Sequence, residues 1–239
     1  MHAHEIENIV GTYWRCGKQE EGKQNFTVKY LPDLKRIQLE APSNLPKGAY
    51  SIELKFQGTL NDKMAGFYRS TYKNKDGEDK IMGTTQFEAV DARRAFPCWD
   101  EPSFKATFDM TLLITDEKLT ALSNMPIRKK EVLEDGSILY QYWRSPVMST
   151  YLLAFVVGEL ESVSAKSASG TDFSVYTTPG KLSQAAFALD TGVKVLNFFE
   201  NYFGVRYPLP KQDMVGIVSL KPYRYFTLIT PNLVLQYIN

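Results

Sequence analysis

Residues Gly83 to Phe104 read GTTQFEAVDARRAFPCWDEPSF, and the character of this stretch changes half-way. Its first residues have the alternation of a strand, which would place Thr84, Gln86 and Glu88 together on one face. The residues that follow form a proline-bounded loop in which charges of both signs stand among aromatic side chains. We call Phe87 to Phe104 the charged loop, and we expect ion pairs and ring packing to hold it together.

Two interpretations of Gln86 and Glu88 follow from these residues. A carboxylate beside an amide can receive an ammonium group, because Glu accepts charge-assisted hydrogen bonds while Gln both donates and accepts. The other interpretation is that both are polar residues on the solvent face of a half-buried strand. Polar alternation of that kind is common in antiparallel sheets, so the residue types alone favour the second interpretation.

The stretch from Gly83 to Pro102 resembles a block in the N-terminal domain of the gluzincin-type zinc aminopeptidases. Three more stretches resemble the same family in the same order, namely Asn61 to Tyr72, Pro146 to Glu159 and Tyr202 to Asp213. The likeness covers most of the chain, from about residue 2 to 217. In that family a Gln-x-Glu segment contacts the free amino end and the first side chain of a peptide. The resemblance therefore implies substrate-binding roles for Gln86 and Glu88.

The composition is that of a globular protein with a substantial core. The 239 residues are 44% hydrophobic and 13% aromatic, and 28 basic against 27 acidic residues leave a net charge of +1. This balance excludes an electrostatic case for nucleic acid or an anionic membrane as the main partner. The longest unbroken apolar run, Tyr151 to Val157, is too short to span a bilayer.

The cysteine content and the first residues lead us to expect a cytoplasmic protein. Cys16 and Cys98 are the two cysteines of the chain, and such a low number is typical of free thiols in a reducing compartment. The first residues, MHAHEIE, have neither the basic end nor the apolar stretch of a secretory signal.

Periodicity predicts strands in the first two thirds of the chain and a helix near its end. Tyr50 to Phe56 and Phe108 to Ile114 alternate as half-buried strands, and hairpin turns are predicted at Asp76-Gly77, Asp135-Gly136 and Ser169-Gly170. Between residues 182 and 203 apolar residues recur every three or four positions, which predicts an amphipathic helix that begins near Pro179 and ends at Gly204.

These patterns predict a mainly β fold, an antiparallel β-sandwich or saddle, which agrees with the N-terminal domain of the family. The resemblance places that domain at residues 1–176. It makes residues 177–217, with the helix, the start of a thermolysin-like catalytic domain. Residues 218–239 resemble the family nowhere and form a divergent tail in this division.

Residues for zinc chemistry are missing from the sequence. Zinc hydrolysis of this type needs a helix with H-E-x-x-H, whose two imidazoles bind the metal while the Glu acts as general base. The chain has two histidines, His2 and His4, which we expect at a solvent-exposed strand start with no third ligand nearby. The Gly-Ala-Met-Glu-Asn block of the family is absent too. We therefore predict no catalytic and no metal-binding residue here, with zinc expected in the complete family enzyme.

The resemblance thus implies a piece of a zinc aminopeptidase, shortened at both ends, that is inactive alone. The complete enzyme would remove N-terminal amino acids from peptides. The alternative is a non-catalytic module that binds peptide N-termini at Gln86 and Glu88, or pairs with a partner through open strand edges.

Overall fold

The computed structural model describes residues 1–17, 22–218, 228–230 and 233–238, which fold into strands and one long helix. The strands that precede the charged loop are β1 (Ile6–Arg15), β2 (Gln24–Asn25), β3 (Thr27–Leu31), β4 (Arg36–Glu40), β5 (Tyr50–Gly58), β6 (Gly66–Lys73) and β7 (Asp79–Gln86). Those that follow it are β8 (Thr111–Ile114), β9 (Thr120–Ser123), β10 (Ile127–Val132), β11 (Ile138–Tyr142), β12 (Phe155–Gly158), β13 (Glu161–Lys166) and β14 (Asp172–Thr177). The helix α1 (Leu182–Phe203) leads to β15 (Lys211–Val218), β16 (Leu228–Thr230) and β17 (Leu233–Ile238). Single 3-10 turns lie at Pro32–Leu34, Ala92–Arg94 and Thr150–Leu152.

Four of the sheets are antiparallel, which confirms the predicted mainly β class. Their strand orders are β2-β1-β5, β3-β4, β6-β7-β12-β9 and β10-β11-β8. The three predicted hairpin turns are confirmed, since they join β6 to β7, β10 to β11 and β13 to β14. The strand predicted from Tyr50 is confirmed as β5, whereas the one predicted from Phe108 begins only at Thr111.

The fifth sheet has the order β13-β14-β15-β17-β16 and is mixed. Its β14 and β15 are parallel, and so are β15 and β17. Parallel neighbours need a crossover connection, and α1 supplies it between β14 and β15. The sequence patterns did not predict this parallel pairing. The proposed domain boundary after residue 176 stays a prediction, and β14 and β15 pair across it.

Part of the predicted divergent tail lies outside the described residues. Residues 219–227, 231–232 and 239 are not described, while β16 and β17 pair antiparallel beside β15.

Helix α1 confirms the predicted helix and ends as expected at Gly204, which has a positive φ of 66°. Its inner side packs on Phe173 and Val175 of β14. Gly192 lies at this contact, and a Cβ there would come within 2.4 Å of Cζ of Phe173. A glycine in a helix costs roughly 1 kcal/mol relative to alanine, and here it permits the close approach of the helix to the ring.

One apolar cluster packs against the charged loop, and a second joins two of the sheets. One lies directly beneath it and contains Phe87, Cys98, Met148 and Phe155 with neighbouring side chains. The other joins the four-stranded sheet to the mixed sheet through the buried side chains Tyr72, Met82, Leu122, Val156, Val215 and Ile217. The loop therefore stands on the packed core of the molecule.

Candidate functional site

The strand that leads into the charged loop is buried on both faces at its end. Thr84 and Thr85 are buried, and the Thr85 hydroxyl oxygen accepts a hydrogen bond of 3.1 Å from the backbone N–H of Phe155. Strand β7 ends at Gln86, so Glu88 lies beyond it in a turn. The prediction that Thr84, Gln86 and Glu88 share one strand face is therefore wrong. The interpretation of Gln86 and Glu88 as solvent-facing polar residues stays open, since Gln86 is half-buried and Glu88 is exposed.

The turn brings the Glu88 backbone within reach of the Gln86 side chain. The Gln86 side chain donates a hydrogen bond of 3.2 Å from Nε2 to the backbone carbonyl of Glu88. Its Oε1 is buried and has no hydrogen-bond partner among the described residues. The Glu88 side chain is exposed, and within the described part of the chain its carboxylate forms no ion pair. The peptide bond between Glu88 and Ala89 is cis. The Gln86 side chain thus holds the turn through the Glu88 backbone, while the Glu88 carboxylate stays open to solvent.

A buried ion pair holds the charged loop in shape. The Asp100 carboxylate accepts a hydrogen bond of 2.8 Å from Nε of Arg93 and another of 2.8 Å from the hydroxyl of Thr150. The Asp100 side chain is 1% exposed and that of Arg93 is 12% exposed. The Arg93 guanidinium also donates to the backbone carbonyl of Asp100, at 2.9 Å. The expected ion pairing of this loop is confirmed, and it ties two parts of the loop that are seven residues apart.

His2 lies under the same loop, which corrects the expectation of a solvent-exposed strand start. Its side chain is buried, and Nδ1 accepts a hydrogen bond of 3.1 Å from the backbone N–H of Asp100. Burial, followed by the nearby Arg93, lowers the pKa of His2. Its Nε2 lies 3.3 Å from Nε of Arg36, which donates to it, and 3.7 Å from the Glu101 carboxylate. His2 is thus a structural residue, and His4 is partly buried.

Arg94 forms the outer support of the loop. It lies 2.7 Å from the Asp91 carboxylate and 2.7 Å from that of Glu5. Hydrogen bonding from Lys63, with a further contribution from Arg94, lowers the pKa of Glu5 to about 2. Gly66 lies against Arg94, and a Cβ there would come within 2.5 Å of Cβ of Arg94, at a positive φ of 74°. Only glycine meets both conditions without displacement.

Cys98 is a core residue of the loop rather than a nucleophile. It is buried, and burial raises the pKa of its thiol to about 12. A thiol in that state provides almost no thiolate at neutral pH, and the thiolate is the reactive form.

The described residues contain no set of ligands for a metal. Among them, no group of three or more His, Cys, Asp or Glu side chains is placed to hold a metal ion. They therefore do not fit the zinc site that the resemblance implies for the complete enzyme. Likewise, no helix in the described stretches is both long enough and apolar enough to cross a bilayer.

Sequence reasoning found Gln86 and Glu88 but missed residues that position them. His2 and Thr150 are far from the loop in sequence, and nothing in their surroundings in the sequence points to Asp100. Gly66 had a detectable signal, since a glycine at the start of a strand often marks a close backbone approach. The pairing of Arg93 with Asp100 was foreseen only as a general property of a charged loop.

Comparison with known proteins decides the family. Residues 1–152 match the model of the Peptidase M1 N-terminal domain. The chain belongs to this family. The charged loop and the Gln-x-Glu segment at residues 86–88 both lie inside the matched range, and the resemblance to the N-terminal domain of the zinc aminopeptidases is confirmed.

Several curated relatives of the M1 family are aminopeptidases by name. Aminopeptidase M1-C of Oryza sativa subsp. japonica is 52% identical over 203 residues, which are 85% of this chain and 23% of that protein. The puromycin-sensitive aminopeptidase of Caenorhabditis elegans is 43% identical over 198 residues, 82% of this chain and 21% of that protein. The human endoplasmic reticulum aminopeptidase 1 is 40% identical over 218 residues, 91% of this chain and 23% of that protein. The chain thus spans between a fifth and a quarter of the length of these relatives.

Proposed function

We propose that this chain is the part of an M1 aminopeptidase that recognises the free amino end of a peptide, with Gln86 and Glu88 as the binding residues. The observation that supports the proposal best is the exposed Glu88 carboxylate, which forms no ion pair within the described residues and sits in a turn that the Gln86 side chain holds. The Glu88 carboxylate is an acceptor, and a peptide ammonium group has three N–H donors to offer it. Hydrogen bonds between an ammonium and a carboxylate are about twice as strong as neutral ones.

The rigidity of the backbone around Gln86 and Glu88 supports the same role. Gln86 closes a strand that is paired on both sides, and the buried Arg93–Asp100 pair fixes the loop that follows. An anchor held in place before the ligand arrives loses less conformational entropy on binding. The affinity of the chain alone should still be weak, because these two residues cover only one end of a peptide.

We further propose that the chain alone does not hydrolyse peptides and that residues 177–217 begin the catalytic domain of the complete enzyme. The proposal includes zinc in the complete protein, held by residues outside those described here. A cytoplasmic location belongs to the proposal as well. The free thiols Cys16 and Cys98 fit a reducing compartment, although one relative is named for the endoplasmic reticulum.

The test measures binding of two short peptides that differ only by N-terminal acetylation, using amide chemical shifts of the labelled protein. The free peptide should bind and its acetylated twin should not. Glu88→Gln should weaken binding roughly 10- to 100-fold, as expected for loss of a hydrogen bond to a charged group. Glu134→Gln, a substitution of an exposed glutamate in the β10–β11 turn, serves as the matched control.

Equal binding of both peptides would refute the anchor, and so would an equal response of the two variants. Catalysis is tested separately with an aminoacyl coumarin and added zinc. No turnover is expected, and zinc-dependent turnover by the pure chain would overturn the proposed inactivity. Selective binding without turnover is also what a non-catalytic binding module would show. Addition of the remaining part of a related aminopeptidase distinguishes the two hypotheses. Turnover should appear if the chain is a piece of an enzyme, and it should not appear if the chain is a non-catalytic binding module.

A further inference from the structure

Strand β5 is an edge strand with one open side. It pairs with β1 along its whole length, and it is the last strand in the order β2-β1-β5. Within the described part of the chain, no other segment forms a backbone hydrogen bond to residues 50–58. An edge of this kind presents a row of unpaired N–H and C=O groups, and its nine residues exceed the length of a typical strand. The open side of β5 is therefore a template on which another strand can pair.

The two faces of β5 differ in polarity. Ile52, Leu54 and Phe56 share one face, and Leu54 packs against a buried apolar cluster that includes residues of β1 and β4. In the same row, Ile52 is 40% exposed and Phe56 is 38% exposed. The opposite face carries Glu53 and Lys55. The apolar row thus continues from the core to the edge of the sheet, where it is only partly covered.

The charges on β5 select one register for pairing with a second copy of the same strand. In an antiparallel pair, opposing residues lie on the same face of the sheet, so the two apolar rows join only if even-numbered residues face even-numbered ones. A pairing centred on Leu54 covers all nine residues and sets Glu53 opposite the partner's Lys55 twice. Pairings centred on Glu53 or on Lys55 would instead set that residue against its own copy. Like charges directly opposite each other are destabilising.

Both charged residues have capacity for this contact. Lys55 is exposed, and among the described residues it forms no ion pair. Glu53 accepts a hydrogen bond of 3.0 Å from Lys23, but only through Oε2. An ionised carboxylate has two oxygens and about four acceptor sites, so Glu53 can receive a second lysine.

The outer pairs of the register centred on Leu54 also match in kind. They are Ile52 with Phe56, Ser51 with Gln57, and Tyr50 with Gly58. A Cβ on Gly58 would have nothing within 4 Å, so the space above this glycine is open. An aromatic ring on the neighbouring strand can cover a glycine in this way. Apolar side chains thus meet apolar side chains, and polar side chains meet polar ones, along the whole strand.

We propose that this chain self-associates into a two-fold symmetric dimer, in which β5 pairs antiparallel with β5 of a second copy about Leu54. Two three-stranded sheets then form one continuous sheet, held by about 8–10 backbone hydrogen bonds between the copies. The same strand serves both copies, as an isologous interface requires, and assembly stops at two because each copy has used its β5 edge. The dimer is independent of the peptide site, because β5 contains neither Gln86 nor Glu88.

The test is sedimentation equilibrium of the full chain across a range of concentrations. The expected mass at high concentration is twice 27.2 kDa. Lys55→Glu sets like charges opposite each other at two places in the dimer, so it should raise the dissociation constant at least about 10-fold. Lys129→Glu is the matched control, because it reverses an exposed lysine on β10, the edge strand of another sheet, and it should leave the dissociation constant unchanged. Circular dichroism checks that each variant is folded.

Further variants test the register itself. Glu53→Lys alone should weaken the dimer as Lys55→Glu does, and mixing these two variants should restore a dimer that contains one copy of each. A chain with both substitutions should dimerise as the wild type does, because opposite charges face each other again. Amide hydrogen exchange gives an independent readout. Every second amide of β5 should exchange more slowly as the protein concentration rises, since those amides point towards the partner.

A wild-type chain that stays monomeric at every concentration would overturn the proposal and leave the β5 edge to the remainder of a longer polypeptide. Equal dissociation constants for Lys55→Glu and the wild type would also overturn it, and so would open-ended aggregates. These outcomes leave the peptide site untouched, because that site is measured separately by the binding of free and acetylated peptides.

Discussion

Replacing Asp100 by Asn is the sharpest test of what holds the charged loop. The substitution keeps the shape of the side chain but removes its charge, which leaves the Arg93 guanidinium buried without a counter-ion. The Asp100 side chain is 1% exposed, and its oxygens accept from Arg93 and from Thr150. Removal of one partner from a buried ion pair typically costs 3–5 kcal/mol. We expect Asp100→Asn to lower the free energy of unfolding by about that amount.

The measurement is urea unfolding followed by circular dichroism. With a slope near 3 kcal/mol per molar, the expected loss moves the midpoint down by about 1–2 M. Asp109→Asn is the matched control, since Asp109 also forms a two-pronged pair with an arginine, Arg144, but its side chain is 60% exposed. That control should shift the midpoint little, because water screens an exposed pair. If the two variants unfold at the same urea concentration, burial does not determine how much the Asp100 ion pair contributes to the free energy of unfolding.

Two further predictions concern packing and pH. Gly192→Ala should destabilise the protein by about 1–3 kcal/mol despite the better helix propensity of alanine, because its Cβ would lie 2.4 Å from Cζ of Phe173. Thermal unfolding measures this, and a stabilised variant would refute the close contact. The pKa of Glu5 falls from 4.5 to about 2 on folding, so its ion pairs stabilise the protein above pH 4.5 and are lost as the pH falls towards 2. Glu5→Gln should therefore flatten the acid limb of the stability curve, and an unchanged limb would show that the pairs with Lys63 and Arg94 contribute nothing.

The sequence predicted elements whose signal is local. Tyr50 to Phe56 alternates in polarity and forms β5, while Asp135-Gly136 forms a hairpin turn because a left-handed glycine suits it. The helix was predictable down to Gly204, since apolar spacing and a terminal glycine agree. Periodicity failed at Thr84, because a strand with neighbours on both sides and layers above and below can bury either face. Which face is buried depends on pairing between strands that are distant from each other in the sequence.

The candidate site likewise combines features that the sequence predicts with features that depend on distant contacts. The charges of Arg93 and Asp100 are visible in the sequence, but which carboxylate each arginine meets depends on how the loop folds over the core. The burial of His2 depends on an amide 98 residues further along the chain. The parallel pairing of β14 with β15 is likewise not encoded in either strand. It depends on α1 returning the chain to the same edge of the sheet.

The position of β7 in its sheet has a consequence for synthesis of the protein on the ribosome. Its neighbours are β6, which precedes it directly, and β12, which begins at Phe155. At elongation rates of about 5–20 residues per second, Gly158 is made about 4–14 s after Gln86. During that interval the nascent chain presents one side of β7 unpaired, with Thr85 awaiting the amide of Phe155. The segment that carries Gln86 is thus completed late, and an edge exposed for seconds is one that a chaperone can cover.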